Sequence, residues 1–90
     1  MADNETICVE CDGVPVRIDP GVVDDIDLLE ALGDMTKDPT RFPKAMRILL
    51  GDEQYEAVKA LLREGGRTSA TRMAAFFREV VEKAGEKAKN

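Results

Sequence analysis

The chain has no histidine and no tryptophan, only three Phe and one Tyr, and just two cysteines. Each scarcity removes a class of function. Without His, the side chain that ordinarily titrates near neutral pH and serves as general base is missing. Cys8 and Cys11 are spaced as CxxC, but a structural zinc site takes about four Cys or His ligands. Residues three apart on a strand also face opposite ways. A thioredoxin-like pair needs a helix N-terminus after a strand, so both thiols read as ordinary reduced side chains with no metal or redox role. The apolar runs are short clusters such as Ile48-Leu49-Leu50, far short of the ~20 residues that cross a bilayer. The opening "MADNETICVE" has no basic segment followed by an apolar one, so no secretory signal is expected and the predicted location is the cytoplasm. With so few aromatics the core must be mostly aliphatic, and at 90 residues only ~60% of the unfolded chain's surface can be buried.

Basic residues are scarce in one region in particular. Residues 1–40 hold eleven acids against Arg17 and Lys37, a balance of −9, whereas residues 66–90 sum to +3 within a net charge of −5. An acidic front half repels phosphate, which argues against nucleic acid as a partner. It also suits contacts in which one molecule's tail meets another's front.

The most informative stretch that is present is "VECDGVPVRI", Val9 to Ile18. Asp12-Gly13 is a strong signal for a two-residue hairpin turn. Around it Cys11 opposes Val14, Val9 opposes Val16 and Ile7 opposes Ile18. One face then carries Ile7, Val9, Cys11, Val14, Val16 and Ile18, and the other Cys8, Glu10, Pro15 and Arg17. A slip of one residue would scramble that division, so turn and faces specify one register. Pro15 belongs at an outward edge position where no ladder donor is needed. An isolated hairpin is barely stable in water, so its apolar face must be roofed by the rest of the chain, while its free edge is open to pairing with another copy.

From Asp19 onward the chain reads as helix. Asp19-Pro20 is a helix start, after which Val22, Val23, Ile26, Leu29, Leu32 and Met35 form an apolar stripe and Leu28 falls beside it. The early acids Asp24, Asp25 and Asp27 suit a helix N-terminus better than a calcium loop, which needs a glycine and alternating ligands. "TKDPTRFP" is a loop, and Pro43 opens a short helix closed by Gly51. Asp52 is expected to cap the next helix, whose Tyr55, Val58, Leu61 and Leu62 face one way, and Gly65-Gly66 stops it. Ser69 caps a last helix with Met73, Phe76, Phe77, Val80, Val81 and Ala84 as its apolar side. The expectation is therefore an α+β fold: one domain over 1–90, with a β-hairpin at 5–18 packed on a bundle of about four helices at 19–84. A tail at 85–90 is expected to fray.

No arrangement of these residues points to catalysis, and the chain is read as a non-enzyme without cofactor or metal. The last two helices have a helix–turn–helix outline in which Arg67, Arg72 and Arg78 could reach phosphates, but the core claims much of the final helix. Phe76 and Phe77 are neighbours that diverge by ~100° on a helix. One of them is thus expected near the surface as an anchor for another protein. With Leu28 and Tyr55, they are the candidate protein-interaction residues.

The order "DGVPVRIDPGVVDDIDLLEALGDM…RFPKAMRILLGDEQYEAVKALLRE", then Gly65-Gly66 and "RTSATRMAAFFREVVE", resembles small tail assembly chaperones of long-tailed bacteriophages and prophages. The likeness covers about residues 7–84. Its most telling piece is "LLGDEQYEAVKALLRE", Leu49 to Glu64, and the cysteines of "ECDG" depart from the family's pattern. The resemblance implies a mostly helical, self-associating protein that binds the tape measure protein, keeps it soluble and helps recruit tail tube protein around it. Two alternatives stand beside it: a head–tail connector component of phage, and a helical DNA-binding regulator.

Overall fold

The computed structural model describes residues 6–89. Strands β1 (Ile7–Cys11) and β2 (Val14–Ile18) form a two-stranded antiparallel hairpin. The register pairs Ile7 with Ile18, Val9 with Val16 and Cys11 with Val14, as the alternation predicts. Asp12 and Gly13 turn the chain with φ of 54° and 77°, the doubly left-handed backbone of a type I′ turn. Four helices come after the hairpin: α1 (Ile26–Lys37), α2 (Phe42–Leu50), α3 (Asp52–Leu61) and α4 (Ala70–Lys89). The fold is α+β, with a hairpin ahead of four helices.

The hairpin is a roof. Val9, Cys11, Val16 and Ile18 are buried, and Ile7 and Val14 pack partly against the same core. β1 lies along α4, while β2 meets α2 and α3. Cys11 and Cys8 point to opposite faces, one buried and one exposed, and burial, followed by the charge of Glu79, pushes the Cys11 thiol up.

The first helix departs from its expected form. Asp19 does cap, accepting from the Gly21 amide, but what it starts is a short 3-10 turn over Pro20–Asp24. Asp25 then caps α1 by accepting from the Asp27 amide. Gly21 and the β-branched Val22 and Val23 are poor helix formers, and the Asp side chains compete for backbone donors, so the α-helix begins at Ile26 rather than at Pro20. Its phase shifts with it: Leu28 and Ala31 are buried, while Val23, Ile26 and Leu29 are exposed.

Two more details differ. α3 is entered through Gly51, at φ 85° and ψ 153°, without a side-chain cap. Asp52 instead accepts from Arg47, and of the pair at the end of α3 only Leu62 is buried while Leu61 is exposed. The helix α4 continues to Lys89 rather than fraying from residue 85. Lys83 and Lys87 tie its end down, donating to the backbone carbonyls of Glu10 and Cys8. Asn90 lies outside the described residues, as does the first residue of the expected hairpin span, Glu5.

Candidate functional site

The four residues expected to meet another protein lie inside the domain. Phe76 and Phe77 are each 2% exposed, and Leu28 and Tyr55 are buried too. The cause is simple. The helix α4 is flanked by the hairpin on one side and α2 on another, so two faces of it are core and adjacent aromatics can both be covered. Tyr55 is further occupied by the Arg47 guanidinium, stacked 4.2 Å above its ring.

The surface offers apolar residues elsewhere. Val23, Leu29 and Val81 rim an open groove between the first helical segments and α4, and Leu28, Leu49 and Phe77 lie along its floor. Ala84 and Gly85 close the α4 side. Leu29 is 52% exposed, and Ile26, one turn earlier on the same helix, is 63% exposed. These two were expected in the core; the late start of α1 turns them outward. The groove holds about 190 Å³, below the ~300 Å³ at which small-molecule sites begin. A few aliphatic side chains of a macromolecular partner suit it better.

Other candidate surfaces are already engaged. The antiparallel ladder leaves the backbone of Cys8 and Glu10 facing out from β1, and that of Pro15 and Arg17 facing out from β2. On the β2 edge Pro15 has no N–H, and Arg17 is taken at both ends by one side chain. Its N–H donates to Gln54 Oε1 at 2.7 Å, and Gln54 Nε2 donates to its carbonyl at 2.8 Å. On the β1 edge the lysine ammoniums of α4 occupy the Glu10 and Cys8 carbonyls. The expectation of a free edge for a second copy is therefore corrected: the domain's own side chains blunt both edges.

Arg72 is also committed, paired with Asp12 and with Glu64, which leaves the helix–turn–helix outline without its central phosphate contact. The acidic front and basic end meet within one molecule here, through Arg72, Lys83 and Lys87. Remaining perturbed carboxyls have local causes. Hydrogen bonds from Thr40 hold Asp38 low, and hydrogen bonds from Lys59 and then Arg47 hold Glu56 low. Among the described residues no group of His, Cys, Asp and Glu side chains is placed to hold a metal ion. No helix among them is long and apolar enough to cross a membrane.

Sequence reasoning missed the groove because its rim residues sit on a stripe that looks like core. The signal available was Gly21-Val22-Val23, a weak place for a helix to start, ahead of Asp25 as a second cap. Compared with protein-family models, with curated proteins and with solved structures, the chain finds no match.

Proposed function

We propose that this protein is a non-enzymatic assembly factor of the phage tail, a chaperone that covers apolar helical segments of the tape measure protein. The observation that supports it most is the groove rimmed by Val23, Leu29 and Val81. A domain this small gains from burying every large aliphatic side chain it has, so leaving several on one open groove makes sense if another protein covers them. The phage client comes from the sequence resemblance; the groove supplies a way of binding it. Recruitment of tail tube protein and self-association in the host cytoplasm belong to the same reading. With both hairpin edges blunted, self-association would use exposed side chains such as Leu61 rather than strand pairing. The engaged state of Arg72 and the acidic front argue against duplex DNA as the partner.

Co-expression tests this. The tape measure protein should become more soluble, and co-purify, when this chain is made with it. Unchanged solubility and no co-purification would reject the chaperone reading.

A further inference from the structure

We propose that the groove selects an amphipathic helix whose apolar stripe is flanked by lysines or arginines. This deepens the chaperone reading, and rests on it for the source of the helix, but the recognition chemistry is argued from the groove itself.

The segment that supplies one wall of the groove is acidic, and its exposed Asp24, Asp27 and Glu30 are chain neighbours of the groove residues Val23, Leu28 and Leu29. From Asp19 to Asp34 the chain carries six acids and no base, and this segment supplies Val23, Leu28 and Leu29 to the groove. Among the described residues, no basic side chain forms an ion pair with any of those six acids. Arg47, Lys59, Arg72, Lys83 and Lys87 are committed elsewhere, to Asp52, Glu56, Asp12, Glu64, Glu79 and the hairpin carbonyls. A helix laid in the groove with cationic side chains along its stripe would bring the missing charges, and complementarity of this kind sets partner choice and orientation. A second copy would bring the same acidic segment and another net charge of −5. An anionic membrane would be repelled by it.

Gly85 gives the groove its depth. It lies within the 20-residue helix α4, where glycine is the worst ordinary helix former. A Cβ built there would meet nothing within 4 Å. No packing constraint requires glycine at that place, and its missing side chain leaves room beside Val81 and Ala84 for a partner. A leucine at 85 would start from a Cβ that meets nothing, at the lining of the groove, and would favour the helix. It therefore blocks the site while leaving the fold intact.

The test uses two synthetic 18-residue helices with leucines at i, i+3 and i+4 spacing, one flanked by lysines and one by glutamates, titrated into the full chain by fluorescence anisotropy. The lysine helix should bind, and the glutamate helix should bind at least about tenfold more weakly. Gly85→Leu should weaken the lysine helix about tenfold or more with a melting temperature equal to or above that of the parent. Reversing the wall with Asp27→Lys and Glu30→Lys should invert the preference between the two helices. Equal binding of both helices, binding untouched by Gly85→Leu, or a dimer in sedimentation that Gly85→Leu dissociates would each overturn the proposal. The two readings fail separately. If the parent solubilises the tape measure protein and Gly85→Leu does so equally well, the groove is wrong and the chaperone stands. If the parent has no effect on that protein but the lysine helix binds and Gly85→Leu releases it, the chaperone is wrong and the groove stands.

Discussion

Gln54 replaces a third strand with one side chain. Its amide donates and accepts where that strand would, at the outward backbone of Arg17, and it also reaches the Leu50 carbonyl at 3.0 Å. Removing it leaves an edge with one free donor and one free acceptor beside the core. Gln54→Ala should lower stability by about 1–2 kcal/mol, read as a lower urea midpoint at unchanged slope. Gln54→Glu keeps the acceptor for the Arg17 amide but loses both donated bonds, so it should rescue only part of the loss. A midpoint unmoved by Gln54→Ala would mean that water replaces the amide without cost. Nothing in the sequence marks this residue, because its partner lies 37 positions away and a polar side chain in a helix reads as surface. Pro15 is the opposite case. Its outward position followed from the lack of an N–H, and the register bears that out.

Among the elements, the hairpin was the most legible and α1 the least, for one physical reason. A two-residue turn and a period of two specify every position of a short hairpin together, so Val9, Cys11, Val16 and Ile18 could be assigned inward before any helix was placed. A helix has no such lock. Its apolar face turns with its starting residue, and moving the start from Pro20 to Ile26 exchanged Leu29 for Leu28 as a core residue. The burial of both Phe76 and Phe77 was illegible for a related reason, since it depends on how many neighbours α4 has.

The pair α2 and α3 carries a pH-dependent link. Arg47 on α2 pairs with Asp52 and Glu56 on α3, at 3.2 Å and 2.9 Å, and Lys59 adds to Glu56. Hydrogen bonds from Lys59 and Arg47 hold the Glu56 carboxyl below its ordinary value. The charged form is therefore favoured by folding, and its contribution is present at neutral pH. That contribution fades as pH falls from the ordinary carboxylate value of about 4 through the lower folded value. In Glu56→Gln the urea midpoint should be lower at pH 7, and the difference from the parent should shrink toward pH 3. A difference that is constant across that range would show that the link is not electrostatic. The pair is solvent-exposed and screened, so raising the salt concentration should also shrink the effect at pH 7.

At the scale of the whole molecule, the domain covers its hairpin edges with its own side chains and leaves Val23, Leu29 and Val81 open on a groove. The hairpin contributes by sealing the other side of α4, which leaves Val81 and Gly85 on the groove side. The fold class and the placement of the hairpin could be reasoned from alternation, turns and caps. The groove could not, because it is made by elements far apart in the chain whose relative rotation no local pattern sets.

The most direct measurement is amide chemical-shift mapping by NMR, with the isotopically labelled chain titrated with a soluble helical fragment of the proposed client, a tape measure protein. The perturbed amides should cluster at Val23, Leu29, Val81 and Gly85, with Cys8, Glu10 and Arg17 on the hairpin edges unaffected. Perturbations confined to the hairpin or to the Arg67 and Arg78 surface, with the groove residues unmoved, would contradict groove binding.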